Sequence, residues 1–335
     1  MLLLECMKSI FPSKLKKGDT ICVIAPASSI VSFKPKNLKR KAMERMEKSL
    51  GLKVVFSKNS HETNKFYLSS IKSRVSDLHS AFKNKNVKGI ACARGGFNSN
   101  EFLSYIDWNI IKKNPKPIWG YSDITVLSNA LYAKTGLVTY SGPTFSTMGA
   151  KEEKNIMKYI LESFQKCLMT DVPFNIIPSK YFNERKLKAQ KNKGLTVLQS
   201  GNCKGTVIGG NLCSLNLLQG TPYMPDLKNK ILFLEDDDFG GKLSPLEFAR
   251  NLESLLQCKD GLTVKGIVLG RFQKGFNMDI DRMKFILSNT KISKNIPIIY
   301  NVDFGHTAPM ITFPIGGEVA IQATKSKASI QILKH

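Results

Sequence analysis

Short, nearly continuous apolar runs alternate along the first half of this chain with longer segments whose apolar positions recur at helical spacing. Thr20-Ile21-Cys22-Val23-Ile24-Ala25-Pro26, Leu52 to Phe56 and Val87 to Cys92 predict strands, the first of them a buried one entered through the turn Lys16-Lys17-Gly18-Asp19. Asn37 to Leu50 and Ser69 to Asn84 predict helices between them. Strands alternating with helices imply a parallel sheet with helices on both faces, an α/β fold. Ligands of such sheets bind beyond the carboxyl ends of the strands. Three segments fall at that edge: the loop after Ala25, Arg94-Gly95-Gly96, and Ser122.

Ser122 lies in Gly120-Tyr121-Ser122-Asp123, between the apolar run Pro117-Ile118-Trp119 and a helical segment, Ile124 to Ala133. A serine at a sharp strand-to-helix turn stands clear of the backbone beside helix N-terminal N–H groups, which suits a nucleophile that needs an oxyanion hole. The plainer alternative is a cap, with Ser122 or Asp123 satisfying the start of the helix.

From Lys166 to Gln199 the pattern gives way to a polar, lysine-rich stretch with Pro173 and Pro178. A boundary is expected there: one domain over 1–165, a connection over 166–199 and a second domain over 200–335. The second half holds Cys203 to Val207, the motif Gly209-Gly210-Asn211-Leu212, strands over Lys230 to Leu234 and Gly266 to Gly270, and a helix over Pro245 to Gln257. It ends with Ile296 to Val302 and several short strands after Ile311, so a second α/β or α+β unit is expected.

Composition changes this picture little. The 335 residues suffice for two cores, and no apolar run approaches the length of a membrane span. The opening Met1-Leu2-Leu3-Leu4-Glu5-Cys6 lacks a basic region and a small-residue cleavage site, and reads as a non-secreted start. Cysteines at 6, 22, 92, 167, 203, 213 and 258 are odd in number and unpaired in spacing, which argues for free thiols in a reducing cytoplasm. The net charge of +24 is carried mainly by scattered lysines. Arginine is scarce, and the basic runs near 14–17, 34–41 and 186–193 lack interleaved aromatics, so no nucleic-acid partner and no membrane partner are expected.

Nucleophilic catalysis by serine requires a base and a group that orients it. Of four histidines, His61 and His79 sit in polar surroundings and His335 is the last residue, expected to fray. His306 instead follows the strand Ile298 to Val302, in Asp303-Phe304-Gly305-His306-Thr307. Glu235 ends the strand Ile231-Leu232-Phe233-Leu234 and opens the acidic run Glu235-Asp236-Asp237-Asp238. A carboxylate there could fix an imidazole tautomer. The same run could hold Mg²⁺ or be a solvated turn, but no phosphate-binding loop accompanies it, and no metal or cofactor is expected. Arg94-Gly95-Gly96 offers backbone donors that can approach an oxyanion or carboxylate closely, or is a plain turn.

Taken in order, Gly18-Asp19-Thr20, Ala25-Pro26-Ala27-Ser28, Ala93-Arg94-Gly95-Gly96, Gly120-Tyr121-Ser122-Asp123-Ile124-Thr125, Gly209-Gly210-Asn211-Leu212, Leu234-Glu235-Asp236 and Phe304-Gly305-His306-Thr307-Ala308-Pro309 resemble the motifs of the LD-carboxypeptidase family of serine peptidases, which includes the microcin C immunity branch. The resemblance covers nearly the whole chain. It implies a Rossmann-like N-terminal domain and a swivelling C-terminal domain, with the active site at their junction, commonly in a homodimer. It further implies a triad of Ser122, Glu235 and His306, with the backbone N–H groups of Gly96 and Asp123 as oxyanion donors. The order serine, acid, histidine also occurs in α/β-hydrolases, but their Gly-x-Ser-x-Gly elbow fails here at Ile124.

The resemblance implies one of two substrates: a murein tetrapeptide losing its terminal D-alanine, or a peptidyl or aminoacyl nucleotide cleaved at its amide. Tyr140-Ser141-Gly142-Pro143 and the residues around His306 lie closer to the immunity branch. That branch stacks the nucleobase on a tryptophan in a loop before the Gly-Gly-Asn motif. The only tryptophans here are Trp108 and Trp119, and the nearest aromatics are Tyr181 and Phe182. Losing a stacking platform removes roughly 1–3 kcal/mol. The alternative to an enzyme is a binding protein of the same fold that retains a muropeptide or peptide without cutting it.

Overall fold

The computed structural model describes residues 8–184 and 188–335. Cys6 and part of the 186–193 basic run lie outside the described residues. Two large sheets organise the rest. The first runs, edge to edge, through Phe313–Ile315, Thr139–Ser141, Ile118–Gly120, Val87–Cys92, Thr20–Ile24 and Lys53–Phe56. All its pairings are parallel except that of Phe313–Ile315, which enters from the far end of the chain and closes the edge against Thr139–Ser141.

The continuous apolar reading of Thr20–Ile24 has a direct cause. Ile21 and Val23 face one core, with helix Leu38–Glu44 and helix Lys154–Leu168, while Cys22 and Ile24 face another, with helices Ile71–Lys83 and Ile124–Thr135. Both faces are covered, so alternation disappears. The predicted helix Asn37 to Leu50 is continuous in register but changes from α to a π turn over Arg45–Ser49.

The second sheet runs Phe174–Asn175, Ala328–Lys334, Glu318–Ala323, Gly201–Asn211, Ile231–Glu235, Gly266–Gly270, Ile298–Val302 and Thr196–Gln199. Its four central strands, from Gly201–Asn211 to Ile298–Val302, are parallel, and antiparallel strands flank them. The fold is thus α/β, with a parallel sheet in the first half and a second, mixed sheet behind it.

Helix Ile124–Thr135 lies between the two sheets. It is buried along nearly its whole length, because it packs under the first sheet and against the second. Asn129 Nδ2 donates to the Gly209 carbonyl at 2.8 Å and its Oδ1 accepts the Gly209 N–H at 3.2 Å. Thr125 Oγ1 accepts the Asn211 N–H at 2.9 Å. Such bonds in a dry interior tie the helix that follows the serine turn to the strand paired with Ile231–Glu235.

The last residue does not fray. His335 is buried, with Nδ1 2.6 Å from Lys14 Nζ and 2.7 Å from the Cys167 carbonyl. Polar partners remote in sequence outweigh the usual mobility of a terminus. Among the described residues, no helix is long and apolar enough to cross a membrane.

Candidate functional site

The strand Ile118–Gly120 stops at the carboxyl edge of the first sheet, and the chain turns at once into helix Ile124–Thr135. The turn places Ser122 at φ +62°, a region that a side chain with a Cβ rarely occupies. Such strain persists where the surroundings fix it, and here they do. Thr125 N–H donates to the Ser122 carbonyl at 2.8 Å, so the main chain starts the helix and the serine hydroxyl is left to project.

Neither Ser122 nor Asp123 caps its own helix through its side chain. Asp123 turns the other way: Oδ2 accepts the N–H groups of Asn98 and Ser99, each at 3.0 Å, and Ser99 Oγ donates to the Asp123 carbonyl at 2.9 Å. The carboxylate therefore clamps the loop after Val87–Cys92 onto the serine turn. Burial raises the Asp123 pKa, and the hydrogen bonds from Ser99 and Asn98 oppose that rise.

The clamp explains Gly95. A Cβ at this position would lie 2.8 Å from Ser122 Cβ and 3.0 Å from its Oγ, so only glycine lets the two loops touch. The Gly95 carbonyl accepts the Ser28 N–H at 3.2 Å, which brings the third edge loop into the same place. Among the described residues, neither the Gly96 nor the Asp123 N–H has an acceptor.

The second sheet supplies the other groups. Strand Ile231–Glu235 is buried throughout and ends with Glu235. The loop after Ile298–Val302 carries His306 across to it. His306 Nδ1 is 2.7 Å from Glu235 Oε2, and His306 Nε2 is 3.2 Å from Ser122 Oγ. The histidine and glutamate side chains are 6% and 4% exposed, so the contact is shielded from water and salt. Gly305, at φ +108°, makes the approach possible, since a Cβ there would lie 3.0 Å from Glu235 Oε2. The Tyr121 ring packs 5.2 Å from the imidazole, centroid to centroid.

A buried ion pair fixes the histidine loop from behind. Arg271 Nη2 lies 2.6 Å from Asp303 Oδ1, and Asp303 also accepts the Ser179 N–H at 2.7 Å and its hydroxyl at 3.0 Å. The Arg271 N–H donates to the Phe304 carbonyl at 3.1 Å. Phe182 lies under the Arg271 guanidinium at 4.4 Å and is thereby occupied structurally, whereas Tyr181 beside it is exposed.

Ser122, Glu235, His306, Gly96 and Asp123, all named from the sequence, thus meet at one point where the carboxyl ends of both sheets face each other. A cavity of about 150 Å³ opens over Ser122, between Gly96 and Asp123 on one side and Asn211, Asp236, Asp237 and Phe239 on the other. Among the described residues, no group of acidic, histidine or cysteine side chains is arranged to hold a metal ion.

Other contributors escaped the sequence reading. Asn211 Nδ2 donates to Asp236 Oδ1 at 3.0 Å and so orients the acidic turn beside the cavity. Its place in the Gly-Gly-Asn-Leu motif was the available signal. Asp303 was in view as part of the histidine motif, but its Arg271 partner is remote in sequence. Phe97 and Phe239 carried no signal, because each is a lone aromatic in a polar segment.

Comparison with known proteins matches both halves of the chain. The model of the LD-carboxypeptidase N-terminal domain matches residues 21–142, and that of the LD-carboxypeptidase C-terminal domain matches residues 204–321. A Bacillus subtilis (strain 168) protein named "Putative carboxypeptidase YocD" is 45% identical over 97% of this chain and 100% of its own length. The crystal structure of an MccF-like protein from Bacillus anthracis str. Ames superposes with a TM-score of 0.93 at 45% identity, covering 98% of this chain and 100% of the other. The microcin C7 self-immunity protein MccF in complex with aspartyl sulfamoyl adenosine superposes with a TM-score of 0.84 at 29% identity, covering 97% and 99%.

Proposed function

The chain belongs to the LD-carboxypeptidase family and is a serine carboxypeptidase hydrolase, and on that premise we propose that it hydrolyses the amide bond of a small peptide or peptidyl nucleotide through Ser122, His306 and Glu235. The observation that carries this reading is the unbroken relay from Ser122 Oγ to His306 Nε2 at 3.2 Å and from His306 Nδ1 to Glu235 Oε2 at 2.7 Å. In this reading His306 removes the hydroxyl proton as Ser122 attacks the carbonyl carbon. Glu235 accepts the Nδ1–H, holds the tautomer and stabilises the imidazolium.

The oxyanion is received by the N–H groups of Gly96 and Asp123, whose lack of any other acceptor among the described residues supports the assignment. The imidazolium then protonates the leaving amine, and the C–N bond breaks to leave an acyl-Ser122 ester. Water, deprotonated by His306, hydrolyses the ester and restores the serine. Residues 1–165 bring the nucleophile and residues 200–335 the acid and base, in a cytoplasmic homodimer.

The first substrate we assign is a murein tetrapeptide, cut to release its terminal D-alanine during peptidoglycan recycling. The second reading, an aminoacyl-nucleotide amide, draws support from the 0.84 TM-score to MccF in complex with aspartyl sulfamoyl adenosine. Product analysis by mass spectrometry with both substrates in parallel, using wild type and Ser122→Ala, tests the proposal. Ser122-dependent loss of D-alanine identifies the first substrate, and Ser122-dependent cleavage of aspartyl sulfamoyl adenosine alone identifies the second. Cleavage of neither, or undiminished cleavage by Ser122→Ala, overturns the reading.

A further inference from the structure

We propose that Asp237 is a further catalytic residue whose task belongs to the second half of the reaction: its carboxylate and His306 share the water that hydrolyses the acyl-Ser122 ester. The inference rests on Ser122, His306 and Glu235 acting as the triad, and it names the group that steers the water in that scheme.

The imidazole has a carboxylate on each side. Glu235 Oε2 lies 2.7 Å from Nδ1 on a side chain 4% exposed, whereas Asp237 Oδ2 stands 3.9 Å from Nε2 on a side chain 31% exposed. The first contact is a direct hydrogen bond in a dry place. The second is too long for one, and it spans a gap that a single water bridges, where solvent has access.

Neighbouring groups hold Asp237 in this pose. Its Oδ1 accepts the Phe239 N–H at 2.9 Å, and its own N–H donates to Asp236 Oδ1 at 3.1 Å, which also accepts Asn211 Nδ2 at 3.0 Å. The turn is fixed while Oδ2 is left without a hydrogen bond among the described residues. Asp237 and Ser122 both line the cavity of about 150 Å³, so the carboxylate and the serine open on the same space.

The order of events separates the two halves of the reaction. In acylation the Ser122 hydroxyl, at 3.2 Å, itself serves Nε2, and no water is needed. Once Oγ is esterified it has no hydrogen to give, and Nε2 takes another donor. Water fills that place, because the nitrogen that protonates the leaving amine is the one that must then deprotonate water. One water O–H donates to Nε2 and the other to Asp237 Oδ2, which leaves the oxygen lone pairs for the ester carbon. The new C–O bond forms as the first proton passes to Nε2. The C–Oγ bond then breaks, and Oγ recovers that proton. One water is consumed per ester, and Asp237 neither gains nor loses a proton. In Asp237→Asn an amide that keeps the Phe239 N–H on its oxygen turns its NH2 toward the water, replacing an acceptor by a donor.

The test uses p-nitrophenyl acetate, whose first release of p-nitrophenolate reports acylation and whose later steady rate reports deacylation. The wild type is expected to show a burst that Ser122→Ala lacks. Asp237→Asn and Asp237→Ala are expected to keep the burst within about twofold in amplitude and rate, while the steady rate falls about tenfold or more and acetyl-Ser122 accumulates in acid-quenched mass spectra. A retained burst also shows that the variants are folded. Hydroxylamine attacks the ester without first losing a proton, and is expected to bring both variants back toward the wild-type rate of release. A burst slowed as much as the steady rate, an unchanged steady rate, or a deficit that hydroxylamine leaves in place overturns the inference and leaves the triad intact. A wild type with no Ser122-dependent burst overturns the triad reading and the inference with it.

Discussion

Replacing Glu235 by glutamine separates catalysis from stability more sharply than any other single change at this site. The wild-type carboxylate contacts His306 Nδ1 at 2.7 Å, with both side chains almost wholly buried. In the proposed mechanism His306 takes the serine proton, which puts the new positive charge about 4 Å from the centre of the carboxylate charge. At an effective dielectric constant of about 20, that attraction is about 4 kcal/mol. Loss of the charge therefore raises the barrier by about that amount, or roughly a thousandfold in kcat. An amide that turns its NH2 toward Nδ1 adds to the loss by enforcing the tautomer with Nε2 protonated, which cannot accept the serine proton. Stability is expected to move the other way. Glu235 Oε1 is buried without a partner among the described residues, and the charge sits beside Asp236, so a neutral side chain lowers the cost of burial. The assay is steady-state hydrolysis of the best peptide substrate together with a thermal melt. A Glu235→Gln variant that retains more than a tenth of wild-type kcat, while Ser122→Ala is inactive, would mean that the buried carboxylate does not stabilise the imidazolium.

Three further outcomes follow from the same geometry. Gly95→Ala is expected to abolish hydrolysis while leaving the protein folded, as judged by circular dichroism, because its Cβ would meet Ser122 Cβ at 2.8 Å. Asp236, raised to about 7, binds its proton more tightly in the folded than in the unfolded chain, so its contribution to stability falls as pH rises from about 4 to about 7. Asp236→Asn should flatten the pH dependence of the denaturant midpoint in that window. Arg271→Ala leaves Asp303 buried without its cation and should destabilise the fold by about 3–5 kcal/mol in urea titrations, loosening the His306 loop as well.

Much of this architecture was legible in the chain because its causes are local. Thr20–Ile24 and Gly266–Gly270 are buried on both faces; Ser122 lies just past the strand Ile118–Gly120, Glu235 is the last residue of Ile231–Glu235, and His306 lies in the loop after Ile298–Val302. What was not legible depends on distant contacts. Phe313–Ile315 becomes an edge strand of the first sheet only because Thr139–Ser141 is there to receive it. His335 is buried only because Lys14 and Cys167 meet it. Helix Lys154–Leu168 did carry a local signal, with Ile156, Ile160, Phe164 and Cys167 on its buried face, but the lysines between them obscured the stripe. The cap alternative at Ser122 could be decided only in three dimensions, where Asp123 proves to serve the Asn98–Ser99 loop.

Labelling with a fluorophosphonate followed by peptide mapping asks whether Ser122 is the nucleophile. A single adduct on Ser122 is expected, formed quickly by the wild type, slowly by Glu235→Gln, and not at all by Ser122→Ala. Labelling of another serine, or none on the active wild-type enzyme, would contradict it.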